Sequence, residues 1–336
     1  MSYKERHDVA FAARFKNNNE GHALYTPVKS SDLRPGACGY FDYDGKWQTI
    51  IHLTDQTALE AGNWPPAPDI ALKPDPLKEN WGAMISRNDF EVNLKAAGGV
   101  SVPTAPVGGT LKAEYTLKSS SGAILVAEGS VTHNELTPTA CDSAKAWFVN
   151  SAERILKNKD KGIFNYIWRS MFEKRGIEEE KGIWVVTKTY TASRRAVALL
   201  QTRESSVSFG LDLGLHGAGI QAPEAAWWTS NKEQVWKIAP ETAQDGSIPL
   251  FMSGWYWRPS MFSRKPDPTA KKPDQKRFLG GPEADKPLTF VLPVDDDEEQ
   301  EITLSLEQIG NFEVSDANEE HGHGDTDSDA SESEEE

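Results

Sequence analysis

Val207-Ser208-Phe209-Gly210-Leu211-Asp212-Leu213-Gly214-Leu215 places a large apolar residue at every odd position and a small or polar one at every even position. That is the period of a β-strand, whose side chains alternate between the two faces of a sheet. At about 3.3 Å per residue the stretch extends about 30 Å, close to the hydrocarbon thickness of a bilayer. Transmembrane strands carry this alternation, and so does a one-sided sheet resting on a soluble core. For one strand taken alone the soluble sheet is the stronger reading, because the membrane signal per strand is weak.

Upstream, Ile183 to Tyr190 is β-branched and aromatic, and Ala196 to Leu200 continues the sheet. The alternation recurs in residues 89–132. Phe90, Val92 and Leu94 alternate with polar partners, as do Leu111, Ala113, Tyr115 and Leu117. Ser119-Ser120-Ser121-Gly122 reads as a turn, with Ile124-Leu125-Val126 as the returning strand. Between these regions, Asp142 or Ser143 is a candidate cap for a helix carrying Ala144, Phe148, Ala152, Ile155 and Leu156 on one face. A second helical face follows at Ile163, Phe164, Ile167, Trp168 and Met171. Near the N-terminus, residues 3–17 read as a polar helix made basic by Lys4, Arg6, Arg14 and Lys16. Residues 24–53 read as strand, turn, strand, with Asp44-Gly45 as a hairpin signal. Five prolines make residues 62–78 an irregular connection. Ile248 to Trp257 closes the ordered body. The expected fold class is α+β, a twisted antiparallel sheet with flanking helices and a disordered acidic C-terminal tail.

The chain has 336 residues and a net charge of −15, unevenly spread. Residues 295–336 hold 18 acidic residues and no Lys or Arg, which leaves +3 for residues 1–294. A near-neutral, slightly basic body therefore carries an acidic tail. No run of 18 apolar residues occurs, which argues against a transmembrane helix. Charges in the first fifteen residues argue against a signal peptide. Cys38 and Cys141 are far apart and in no CxxC arrangement, so neither a disulfide scaffold nor a zinc finger is expected.

The dinucleotide, P-loop, HExxH and GxSxG motifs are all missing, so no enzyme and no cofactor are predicted. His321 and His323 lack a tetrahedral ligand set, so no metal is predicted. His133 and Cys141 show no sign of an activated nucleophile. Trp227, Trp228, Trp236, Trp255 and Trp257 crowd residues 226–257, and this region supports an alternative reading, a soluble protein binding a glycan or protein ligand. Aromatic core is the plainer account of most of them.

The order of elements resembles the pore-forming domain of gasdermins, in particular the gasdermin-like cell-death proteins of filamentous fungi. The resemblance lies in Ala23-Leu24-Tyr25-Thr26-Pro27-Val28, in Leu33-Arg34-Pro35-Gly36, in Gly182 to Tyr190 and in Phe251-Met252-Ser253-Gly254-Trp255-Tyr256. It spans about residues 3–260. It implies a domain layout of 1–260 as the pore-forming domain, 261–287 as a basic Pro-rich linker, 288–314 as a candidate autoinhibitory segment and 315–336 as the acidic tail.

The resemblance also implies a mechanism. A protease releases the C-terminal segment, with Lys272 and Arg277 as cleavage candidates. Lys4, Arg6, Arg14 and Lys16 bind acidic phospholipids. Chains then assemble, as a homo-oligomer or with a related chain, into a transmembrane β-barrel. Two hairpins, about 89–132 and 183–216, supply the strands, with Val207, Phe209, Leu211, Leu213 and Leu215 facing lipid. The chain is expected in the cytoplasm when inactive and at the plasma membrane when active. Programmed cell death of the heterokaryon-incompatibility type is the implied outcome, with no nucleic-acid partner. Unlike the animal members, this chain is expected to carry no large helical inhibitory domain after the core.

Overall fold

The computed structural model describes residues 6–86, 90–96, 110–157, 182–212, 229–230, 237–239, 247–261, 287–295 and 298–310. Its centre is an antiparallel ladder between β10 (Ile183–Ala192) and β15 (Ile248–Met261), running from Ile183 opposite Trp257 to Ala192 opposite Ile248. Nearly every residue of β10 is buried. Its even and odd side chains enter different cores, which is why the strand reads as one apolar run and not as an alternation.

One core lies beneath helix α3 (Pro138–Lys157). Ala144, Trp147, Phe148 and Ile155 of α3 meet Ile183, Val185, Trp255 and Trp257 of the ladder. Phe148 stacks on Trp257 with ring centroids 3.8 Å apart. The helix begins at Pro138, earlier than Asp142 or Ser143 predicts. Thr137 is the cap, its Oγ1 accepting the Ala140 N–H, and proline at the first helical position has no N–H to leave unpaired. On the opposite face Trp184, Val186, Met252 and Tyr256 pack with Leu24, Leu33, Phe41 and Trp47.

Flanking strands complete this sheet. β2 (Ala37–Phe41) pairs with the first half of β10 and with β3 (Trp47–His52). The β2–β3 turn is the predicted Asp44-Gly45 hairpin. Gly45 has φ +70, and the Asp42 carboxylate accepts the Asp44 and Lys46 N–H groups. On the far edge of β15, β1 (His22–Ala23) covers Phe251 and Met252, and β17 (Glu298–Ile309) covers Gly254 to Met261. β16 (Leu288–Asp295) pairs with β17 as a hairpin. Ile302 and Leu304 of β17 are buried in the α3 core.

Helix α1 spans His7–Arg14, shorter than the predicted 3–17. A short helix α2 (Gln56–Ala61), which the sequence reading missed, is capped by Asp55 accepting the Ala58 N–H. The proline-rich stretch after it is irregular through Pro76, as expected, whereas the last two residues of the predicted 62–78 already belong to a strand. The second predicted helix, 163–176, lies outside the described residues, and so do the linker over 262–286 and the tail beyond 310. Among the described residues no helix is long and apolar enough to cross a membrane, which says nothing of strands.

Replacing Trp257 by Ala removes the ring that Phe148 stacks on and leaves a cavity under α3. The expected loss is about 3–5 kcal/mol, read as a lowered urea midpoint. An unchanged midpoint would contradict this account of the core.

Candidate functional site

The hairpin strands join into one ribbon. Four chain limbs run side by side, each antiparallel to its neighbours, through three successive sheets in the same order. In the upper sheet the order is β4 (Leu77–Asn80), β9 (Ser130–Glu135), β10, β15. In the middle sheet it is β5 (Met84–Ile85), β8 (Gly122–Glu128), β11 (Arg194–Leu200), β14 (Lys237–Ala239). In the lower sheet it is β6 (Phe90–Ala96), β7 (Thr110–Leu117), β12 (Ser206–Asp212), β13 (Thr229–Ser230).

This layout corrects two expectations. Ser119 to Gly122 does not reverse the chain. β7 and β8 pair in turn with β12 and β11, so residues 110–128 keep one direction along residues 194–212. Ile124-Leu125-Val126 therefore continues the limb and does not return on it. Likewise 183–212 is one limb, and its return is 229–261, not a strand ending at 216. The serine-rich stretch resembles a turn because it is a bend, and local composition does not distinguish a bend from a reversal.

The bends lie level with one another. Gly129, at φ +70, and Ser193 divide the upper from the middle sheet in adjacent limbs. Residues 118–121 and 201–205 divide the middle from the lower sheet. At the lower bend Leu117 exchanges backbone hydrogen bonds with the 204–205 segment, its N–H donating to Ser205 and its carbonyl accepting from Glu204. Glu204 has φ +68, a left-handed conformation that costs a non-glycine residue about 1–2 kcal/mol.

Bending hides apolar surface on both faces of the middle sheet. Ala123, Leu125, Ala127 and Val197 meet Phe11, Phe15 and Tyr25 of the N-terminal block. Ile124, Val126, Ala196, Ala198 and Leu200 meet Ala113, Tyr115, Leu117 and Val207 of the lower sheet. The positions that meet where the lower sheet folds onto the middle one are odd in β7 and even in β8.

The candidate residues fall into distinct settings. Val207 is 1% exposed within this packing. Phe209 and Leu211 lie in β12 opposite Ala113 and Leu111 of β7. Leu213 and Leu215 lie outside the described residues, as do Lys4, Lys272 and Arg277. Arg14 and Lys16 are exposed. Arg6 is not presented with them, because its guanidinium grips Asp8 at 3.1 and 2.5 Å with little side-chain exposure. Trp255 and Trp257 are core residues, so in the described part of 226–257 the tryptophans do not form an exposed ligand platform. The other three tryptophans of that region lie outside the described residues.

Among the described residues neither cysteine is poised as a nucleophile. Burial pushes both thiols up, Cys141 to about 12, so neither is available as a thiolate. Among the described residues no group of three or more metal-ligating side chains occurs. At the seam between the two hairpins, His133 sits edge-on to Tyr190 with ring centroids 4.5 Å apart and has Glu79 at 3.4 Å. Lys188 and Lys73 flank Glu135 at 3.6 and 3.5 Å. Sequence reasoning missed Arg195, a buried cation in β11. Its signal was the pair Arg194-Arg195 opening an otherwise apolar limb.

No protein-family model matches the chain, and no curated protein matches it. Among solved structures it is similar to the cryo-EM structure of the gasdermin A3 membrane pore. The identity is 11% and the TM-score 0.28, with 76% of this chain and 89% of that chain covered.

Burial lowers the pKa of His133 despite Glu79 nearby, and lowers that of His52 with help from Arg34. Both imidazoles favour the fold when neutral. That stability is fully present above about pH 6.5 and is lost as the pH falls through that value toward the lower folded ones. The urea midpoint should therefore drop between about pH 6.5 and 5, and drop less in His133→Gln. A midpoint that rises on acidification would contradict this.

Proposed function

We propose that this chain is a gasdermin-like pore-forming protein, and that the form described here is its closed state. The observation that carries the reading is the twice-bent ribbon. If the bend at 118–121 straightens, Leu111, Ala113, Tyr115, Leu117, Ala123, Leu125 and Ala127 fall on one face of a single strand. On the neighbouring limb Val197, Leu199, Val207, Phe209, Leu211, Leu213 and Leu215 do the same. A straight strand over 110–128 extends about 60 Å, whereas a tilted transmembrane strand needs only about 9–11 residues.

Such a face has no place in water and is stable in lipid. The lipid core demands in turn that every backbone group be paired, which ribbons from several chains achieve by closing into a barrel. The proposed partners are therefore further copies, or a related chain, and an acidic phospholipid surface drawn by Lys4, Arg14 and Lys16. Arg6 joins them if its pair with Asp8 opens. The chain would pass from cytoplasm to plasma membrane, with permeabilisation and regulated cell death as the outcome.

Activation has a physical obstacle in the C-terminal hairpin. β17 occupies the edge of β15 from Gly254 to Met261 and buries Ile302 and Leu304. A protease acting at Lys272 or Arg277 would cut the covalent link and leave this ladder in place. The hairpin must also unpair before that edge is free for a neighbouring chain. The acidic tail beyond it lowers the affinity for anionic membranes for as long as it remains attached.

Dye release from phosphatidylserine vesicles tests the reading. Chain cut between 272 and 277 should leak dye faster than intact chain, and more so after urea strips the hairpin. Leu211→Asp with Leu213→Asp should lower the rate at least about tenfold, each carboxylate costing less than the about 2–4 kcal/mol of an Arg or Lys at the bilayer midplane but the two acting on one strand. Leakage unchanged in that double variant would contradict the strand assignment.

A further inference from the structure

Arg195 is 1% exposed, among the largest fully buried side chains. Among the described residues no carboxylate pairs with it. Its guanidinium donates to the carbonyls of Leu24, in a very short contact, and Tyr25, at 3.3 Å. Its register partners across the ladder are Ala127 on one side and Ala239 on the other. Burial lowers its pKa to about 9. Burying an uncompensated cation is costly, and an apolar residue of similar size would be cheaper there.

The position gives the charge a mechanical role. Residues 7–25 cover one face of the middle sheet through Phe11, Phe15 and Tyr25. Among the described residues their backbone is tied to β15 by the two-residue pairing of β1, by the Leu24 N–H donating to the Leu250 carbonyl and by the Ser253 hydroxyl donating to the Glu20 carbonyl. Arg195 adds a side-chain clamp at the end of that short ladder. Two neutral carbonyls bring no counter-charge to a guanidinium, whereas a phosphate offers bidentate hydrogen bonds in which both partners are ionised.

We propose that Arg195 is a phosphate-binding residue held in reserve. It clamps the N-terminal block to β11 in the closed form, and it exchanges the Leu24 and Tyr25 carbonyls for a phosphate group when that block lifts. On the pore reading, on which this rests, the phosphate belongs to a lipid headgroup, and the exchange frees the middle sheet at the membrane surface.

Hydrogen exchange of residues 22–25 in the full chain tests this, compared in chloride, in inorganic phosphate at matched ionic strength, and with phosphatidylserine or phosphatidylcholine vesicles. In the wild type, phosphate or phosphatidylserine should speed exchange about tenfold over chloride, as expected for exchanging neutral acceptors for an anionic one. Arg195→Gln should exchange fast in every condition and gain nothing from either anion. Per bound molecule it should also leak dye at least about tenfold more slowly. Speeding by vesicles but not by free phosphate assigns the ligand to the headgroup, and speeding by both assigns the phosphate group itself. The proposal is overturned if neither anion speeds exchange in the wild type, or if Arg195→Gln leaks as fast. A wild type that leaks from no vesicle overturns the pore reading alone, and the phosphate arm still decides Arg195.

Discussion

The ladder between β10 and β15 is the constraint on which the rest depends. It joins residues far apart in the chain, and each of its sides and edges recruits a different part of the molecule. Helix α3 covers one face, and the 24–47 region covers the other. β2 and β9 share the outer edge of β10, and β1 and β17 share the outer edge of β15. Close approach is built into it. A Cβ at Gly254 would lie 2.2 Å from the Val185 carbonyl, so the two strands meet where no side chain fits. A ladder buried on both faces with both edges occupied is a rigid platform, and that rigidity lets the ribbon hanging from it bend without the molecule coming apart.

The ribbon below the platform is a compromise. Alternating apolar residues on long antiparallel limbs must be hidden, and one chain of this size hides them by folding the ribbon over itself. Each bend has a local cost, visible in the left-handed backbone at Glu204. The return is the apolar packing on both faces of β8 and β11. Such a balance is conditional on water. Where the surroundings are apolar, the reason for bending disappears and the same alternation favours straight strands. Arg195 marks the join between platform and ribbon, where a buried charge holds the N-terminal block in place.

Much of this was legible in the residues. The period-two alternation located β6, β7 and β12, and Asp44-Gly45 located the β2–β3 turn, because these are local signals with a direct structural cause. Helix α3 was legible from its apolar spacing, but its start was not. Thr137-Pro138 makes a better cap than Asp142 or Ser143, five and six positions after Thr137, and competing caps cannot be ranked without knowing what packs beneath. The path of the limbs was not legible, because a bend and a reversal share the same serines and glycines and differ only in the partner strand. Arg195 was invisible as a site for a similar reason. Its two acceptors are backbone carbonyls far away in sequence, at Leu24 and Tyr25, and carbonyls leave no mark on composition.

The central claim is that the bend at 118–121 straightens at a membrane. The most direct measurement is the distance between spin labels at Thr116 and Ser130 on the same chain, in solution and bound to phosphatidylserine vesicles. The account predicts a short separation in solution, set by the folded-over sheets, and about 45 Å on vesicles, the length of fourteen residues of extended strand. The same short separation on vesicles that are leaking dye would contradict it.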